Sequence, residues 1–155
     1  MDSLRLPARL ESMEAVRSFI KEKIRGWNLD ARLANRVELA LEEALVNISR
    51  YAYPHYQGEV EVRCSLGDTG RLYLEIHDWG IPFNPLERLR PDPAQDLSSR
   101  RVGGWGVALM RHMADDLQYL FAQGKNILYL SFLPRETDLP EPGKLESSDH
   151  KGGRP

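Results

Sequence analysis

Cysteine occurs once in the 155 residues, at Cys64, so the chain can hold no intramolecular disulfide. No Cys/His cluster is present either, which argues against zinc-ribbon and disulfide-stapled secreted scaffolds. Cys64 lies in Glu-Val-Arg-Cys-Ser-Leu, with no histidine near it in sequence, and reads as a buried, reduced core thiol. No stretch approaches the ~20 apolar residues of a membrane-spanning helix. The opening residues Met1-Asp2-Ser3-Leu4-Arg5-Leu6-Pro7 lack the apolar run of a signal peptide, so a cytoplasmic location is expected. Charge of one sign is also missing. Lys and Arg total 21 against 23 Asp and Glu, a net charge of −2, which argues against a protein whose task is coating nucleic acid or an anionic membrane.

What is present is the composition of a globular domain, 41% hydrophobic and 28% charged. An amphipathic pattern from Ser12, through Met13, Val16, Phe19, Ile20, Ile24 and Trp27, predicts a helix capped by Ser12 and ending near Asn28. Asp30 is the expected cap of a second helix carrying Leu33, Val37, Leu41, Ala44, Leu45 and Ile48, which ends before Pro54. Residues 59–66 and 71–78 alternate as strands around a Gly67–Gly70 turn, and residues 3–6 read as a short edge strand. A long proline-containing stretch, 79–102, has the character of a lid or binding loop. Gly103-Gly104-Trp105-Gly106 then opens a third helix through Val107, Leu109, Met110 and Met113. A closing hairpin is expected from Gln118–Ala122, a turn at Gln123-Gly124-Lys125-Asn126, and Ile127–Leu133. Residues 135–155 have almost no apolar content and are expected to be a disordered tail beyond a domain spanning 1–134. Two hairpins joined into one mixed, mostly antiparallel sheet, with about three helices on one face, make an α+β two-layer sandwich.

Three short motifs carry chemistry. Glu43 and Asn47 lie four apart, hence on one helix face; an Asn inside a helix gains little unless its side chain has a partner, though the pair also fits a solvated helix flank. Asp78-Trp79-Gly80-Ile81-Pro82-Phe83-Asn84-Pro85 ends an apolar strand. It fits a plain turn, which is common for such a string, and it also fits a buried carboxylate accepting from an exocyclic amine, with Gly80 admitting a flat ring to the backbone. The glycine run 103–106 exposes N–H groups at a helix start, a site for an anion. It is neither a Walker A loop, lacking Gly-Lys-Ser/Thr, nor a dinucleotide-binding loop, lacking the βαβ unit.

In order and spacing these motifs resemble the N, G1 and G2 boxes of the Bergerat-fold (histidine-kinase-like, GHKL) ATPase domain shared by gyrase, heat-shock chaperones, sensor histidine kinases and mismatch-repair proteins. The strings Glu43-Ala44-Leu45-Val46-Asn47-Ile48-Ser49-Arg50-Tyr51-Ala52-Tyr53 and Asp78–Pro85 are most similar to the single-domain anti-sigma-factor serine kinases of bacteria, over about residues 3–134. The resemblance implies ATP and Mg²⁺ as cofactors, with Asn47 on the metal. Asp78, Gly80 and Pro82 would lie at the base, and Gly103, Gly104 and Gly106 at the phosphates. Arg50, Arg100 and Arg101 would neutralise phosphate charge, residues 86–102 would form the lid, and Glu43 would be the general base. It also implies a sigma factor and an anti-anti-sigma protein as partners, and a homodimer. Tyr51 stands where many relatives carry His, Trp105 replaces a small or aliphatic residue, and Lys125-Asn126 stands where Gly-Thr is frequent. A partner-sequestering switch without kinase activity is the alternative, and a detached histidine-kinase catalytic domain is a third reading. His55, His77, His112 and His150 are expected to play no catalytic part.

Overall fold

The computed structural model describes residues 1–87 and 105–135. Residues 88–102 of the expected lid, which include Arg100 and Arg101, together with Gly103, Gly104 and the tail beyond Arg135, lie outside the described residues.

Strand β1 (Asp2–Pro7) leads through a 3₁₀ turn at Leu10–Ser12 into α1 (Met13–Gly26). The expected cap at Ser12 is not made. The chain enters the helix already helical there, and the Ser12 hydroxyl donates back to the Pro7 carbonyl at 2.7 Å. The stop near Asn28 is as expected. Asn28 takes a left-handed conformation (φ 55°), its N–H donates to Arg25 O, and the Leu29 N–H donates to Ile24 O. These two bonds form a Schellman motif, in which Asn is the second choice after Gly.

Helix α2 (Ala31–Asn47) begins at Asp30, whose carboxylate accepts from the Arg32 N–H at 2.8 Å. Its apolar residues bury on more than one side because α2 packs between α1 and α3 (Trp105–Met113). The helix runs on into a π-helical turn, Ile48–Ala52. Such widened turns are frequent at functional sites.

Strands β2 (Glu59–Leu66), β3 (Leu72–Asp78), β4 (Asp116–Ala122) and β5 (Lys125–Phe132) complete a sheet of order β1-β2-β3-β5-β4. Every described pairing is antiparallel. One face carries Val60, Val62, Cys64, Leu72, Leu74, Ile76, Leu128, Leu130 and Phe132 into a core shared with the three helices. Cys64 is free and fully buried, and burial pushes its thiol up to about 11, consistent with an inert core residue. The last hairpin is tighter than expected. Gln123 and Gly124 alone turn the chain, both at positive φ, as a two-residue hairpin requires. Lys125 and Asn126 are therefore strand residues.

Arg36, buried on α2, ties the helices to the far end of the sheet. Its guanidinium donates to Met113 O, Leu133 O and the Asp115 carboxylate. It thereby satisfies a carbonyl at the end of α3, where helical partners run out.

Candidate functional site

Strand alternation fixes the centre of the site. On β3 the inward row is Leu72, Leu74, Ile76 and then Asp78; on β5 it is Phe132, Leu130, Leu128 and then Asn126. Asp78 and Asn126 face each other in register, and both are buried. The apolar rows thus end in a polar pair beneath the C-terminal end of α2. A pocket there is lined by Ala44, Asn47, Ile48 and Ala52 from the helix side and Ile76, Asp78, Asn126, Leu128 and Tyr119 from the sheet. Phe83 and Pro85 close it from the following loop.

The polar groups of this pocket are not equally satisfied. Asp78 Oδ1 accepts from Gly80 N–H at 3.0 Å and from the Asn126 amide at 2.8 Å. Burial raises the Asp78 carboxyl above its ordinary value, against the lowering effect of those two bonds and of His77. Asn126 is saturated. Its amide nitrogen also donates to Ile81 O at 2.9 Å, and its oxygen accepts from Phe83 N–H at 3.0 Å and the Tyr119 hydroxyl at 2.5 Å. Asn47 is the opposite case: only 4% exposed, its amide nitrogen has no partner among the described residues. A buried polar group left unmade is costly, and an amide turned into a pocket without a partner marks a place for a ligand.

Gly80 earns its place differently from the sequence expectation. A Cβ there would overlap the backbone and side chain of Ala52 in the π-helical turn, and the Ile81 N–H donates to Ala52 O at 2.9 Å. The glycine admits this turn against the loop, so the end of α2 and the Asp78 loop form one wall. Tyr53 pins the same wall, its hydroxyl donating to Glu59 O and accepting from the Trp79 N–H at 2.8 Å. Tyr51 stacks on Phe83 with centroids 5.4 Å apart. Pro82 is exposed, and the pocket wall beside it is made by Phe83 and Pro85.

Glu43, one turn before Asn47, points to the start of α3. A Cβ on Gly106 would strike its carboxylate. Burial, with Glu42 adding to it and Arg50 opposing it, raises the Glu43 carboxyl above its ordinary value. Arg50 itself is exposed, on the π-helical turn. The structure therefore brings Asn47 and Asp78 to one pocket and Glu43 to Gly106. Asn126 and Tyr119 belong to the same pocket and were not among the sequence candidates. The period-two row running back from Leu128 reaches Asn126, a position that the Gly124 turn signal assigns to the turn instead.

Among the described residues, no cluster of three or more His, Cys, Asp or Glu side chains could hold a metal ion. No helix among them is long and apolar enough to cross a membrane.

Comparison with known proteins agrees with this geometry. The chain is 35% identical over 103 residues to the serine/threonine-protein kinase BtrW of Bordetella bronchiseptica, covering 65% of this chain and 71% of that protein. It is 25% identical over 137 residues to the serine-protein kinase RsbW of Bacillus thuringiensis, covering 86% of this chain and 85% of that one. Among solved structures, one of the RsbU and RsbW domains of a Mycobacterium tuberculosis protein superposes with a TM-score of 0.57 at 15% identity, over 84% of this chain and 32% of that one. The histidine kinase domain of a blue-light activated kinase from Erythrobacter litoralis gives a TM-score of 0.50 at 18% identity, over 81% of this chain and 60% of that one. These two likenesses speak for the fold alone. The sequence profile of the histidine kinase-like ATPase domain matches residues 6–132, nearly the whole described fold. With that match, and the end of α2 and the end of β3 set around one pocket, the chain belongs to the histidine kinase-like ATPase domain family.

Proposed function

We propose that the chain is an ATP-dependent protein serine kinase that acts as the anti-sigma factor of a bacterial partner-switching system and phosphorylates an anti-anti-sigma protein. The observation that carries the reading is the convergence of Asn47 and Asp78 on one pocket, with Glu43 one helical turn away at the start of α3. The named kinases among its relatives support the activity. The partners rest on the resemblance of the Glu43–Tyr53 and Asp78–Pro85 strings. A cytoplasmic site of action and a homodimer belong to the same reading.

Each residue has a task. Asp78 accepts from the amino group of the base. Apolar Ile76, Leu128 and Phe83 line the same pocket and suit a flat ring. Asn47 brings an uncharged amide to the pocket wall; its oxygen would be the ligand of Mg²⁺, which takes its remaining ligands from phosphates and water. Bound Mg²⁺ would supply charge neutralisation at the phosphates. The start of α3 and Gly106 offer backbone N–H groups to the phosphate end. Glu43 is held half-buried with a raised carboxyl, closer to the working pH of a general base. It would orient the serine hydroxyl and take its proton, and positioning and charge do the remainder in phosphoryl transfer.

Calorimetric titration with a non-hydrolysable ATP analogue, with and without Mg²⁺, tests the reading. Saturable one-site binding that requires Mg²⁺ and is lost in Asn47→Ala is the expected result. Glu43→Gln should then keep binding and lose serine phosphorylation. A folded protein that binds no nucleotide overturns the kinase reading.

A further inference from the structure

We propose that Asn126 is the positioning residue that sets the base specificity of the pocket: by occupying one oxygen of Asp78, it leaves the other as a lone acceptor for a 6-amino purine. The proposal rests on the nucleotide-binding reading above and deepens it.

The two oxygens of Asp78 are used unequally. Oδ1 takes both protein bonds, from Gly80 N–H and from Asn126. Oδ2 receives no donor from the described residues, although Asp78 is only 5% exposed and lines the pocket. The orientation of Asn126 is not free to vary. Its oxygen is held by two donors, Phe83 N–H and Tyr119 O–H, and its nitrogen faces two acceptors, Asp78 and Ile81 O. Flipping the amide would set donor against donor and acceptor against acceptor. The carboxylate is thus locked with an acceptor turned to the ligand. A 6-amino base meets that acceptor with a donor, while a 6-keto base meets it with an acceptor, and such a mismatch leaves buried polar groups unpaired. Because Asn126 also holds Ile81 and Phe83, the same side chain fixes the loop wall against which the ring would lie.

Replacing Asn126 by Asp puts a second carboxyl directly against Asp78. Two such groups in contact hold one proton between them until the pH is high enough to remove it. The other titratable groups near this pair, among the described residues, are His77, Tyr53, Tyr119 and Glu87. Lys125, the strand neighbour of Asn126, lies over the Trp79 ring.

The test measures dissociation constants of non-hydrolysable adenosine and inosine triphosphate analogues for the wild type, Asn126→Asp and Asn126→Leu from about pH 5 to pH 8. The wild type should prefer the adenosine analogue by about tenfold or more with little dependence on pH. Asn126→Asp should approach wild-type affinity at the acid end, where the shared proton replaces the amide donor, and lose about tenfold or more as the pH rises. Asn126→Leu should lose the preference between the two analogues. A variant that merely loosened the fold would weaken both analogues alike and would not recover in acid. Asn126→Leu strands the Phe83 and Tyr119 donors, so the pH profile of Asn126→Asp decides the matter if the leucine variant does not fold. If the wild type binds the adenosine analogue and Asn126→Asp follows it across the whole pH range, the assignment to Asn126 is overturned while the nucleotide reading stands. If the folded wild type binds neither analogue, both are overturned.

Discussion

Gly80→Ala isolates the contact that joins the π-helical turn to the Asp78 loop. The added Cβ would overlap the carbonyl carbon and oxygen of Ala52 as well as its side chain. Those are backbone atoms of a turn, so no flexible side chain can swing away. Relief requires the loop to retreat, and retreat stretches the Ile81 N–H to Ala52 O bond, now 2.9 Å. Overpacking of this kind costs about 1–3 kcal/mol, and a weakened buried hydrogen bond adds roughly 1 kcal/mol. The total is about 2–4 kcal/mol, a large share of the 5–15 kcal/mol that holds a typical domain together. For a domain of this size it corresponds to a fall in Tm of roughly 5–15 °C. Urea denaturation and thermal melting of the nucleotide-free protein measure it directly. Had Gly80 been selected only to admit a ring, the alanine variant would be as stable as the wild type without nucleotide and weaker only in binding. That pair of results would refute the argument from Ala52.

The other predictions concern neighbouring groups. In Gly106→Ala the new methyl meets the end of a flexible side chain, the Glu43 carboxylate; stability should change by less than about 1 kcal/mol, while displacement of Glu43 should lower serine phosphorylation at least about tenfold, and unchanged turnover would separate Glu43 from the reaction. Asp78→Asn should raise the melting temperature without nucleotide and abolish binding of the adenosine analogue. The sign follows from burial, which raises the Asp78 carboxyl in the fold, so keeping it ionised at neutral pH costs folding free energy that the neutral amide does not; a less stable variant would contradict this. Arg36→Ala removes its bond to Leu133 O and leaves Met113 O to Arg135 and Asp115 to Arg135 and the Leu133 N–H, and should cost about 1–3 kcal/mol in urea denaturation; a loss below about 0.5 kcal/mol would show the staple to be dispensable. Asp115 should make the fold acid-sensitive. Burial alone would raise its carboxyl, but bonds from Leu133 N–H, Arg135 and Arg36 outweigh it and hold it below the ordinary value. Its contribution is complete above the unfolded value near pH 4 and is lost as the pH falls through the folded one; Asp115→Asn should flatten that acid limb, and an unaltered pH–stability curve would count against it.

Much of the fold is legible in local pattern because local physics decides it. The Asp30 cap, the stop at Asn28 and the alternation of β2 and β3 each depend on residues within a few positions of one another. The exceptions are also physical. Ser12 fits the pattern of a cap, but the chain had already turned helical through Leu10–Ser12, so its hydroxyl found Pro7 O. Lys125-Asn126 fits a four-residue turn, yet Gln123 and Gly124 suffice when both adopt positive φ. That two-residue difference moved Asn126 from a solvent-facing loop to the inward row of β5.

The sequence by itself determined the elements, the order of the three boxes and the candidates Glu43, Asn47 and Asp78, because spacing along a helix and the end of an apolar strand are local facts. Only the tertiary structure decided that Asn126 and Tyr119 share the pocket of Asp78, and that Gly80 yields to Ala52 and Gly106 to Glu43. Those pairings join atoms from segments far apart in the chain. They exist because antiparallel register sets residue 126 opposite residue 78 and because α2 lays its C-terminal end across that strand end, and neither relation is written in any local stretch of the sequence.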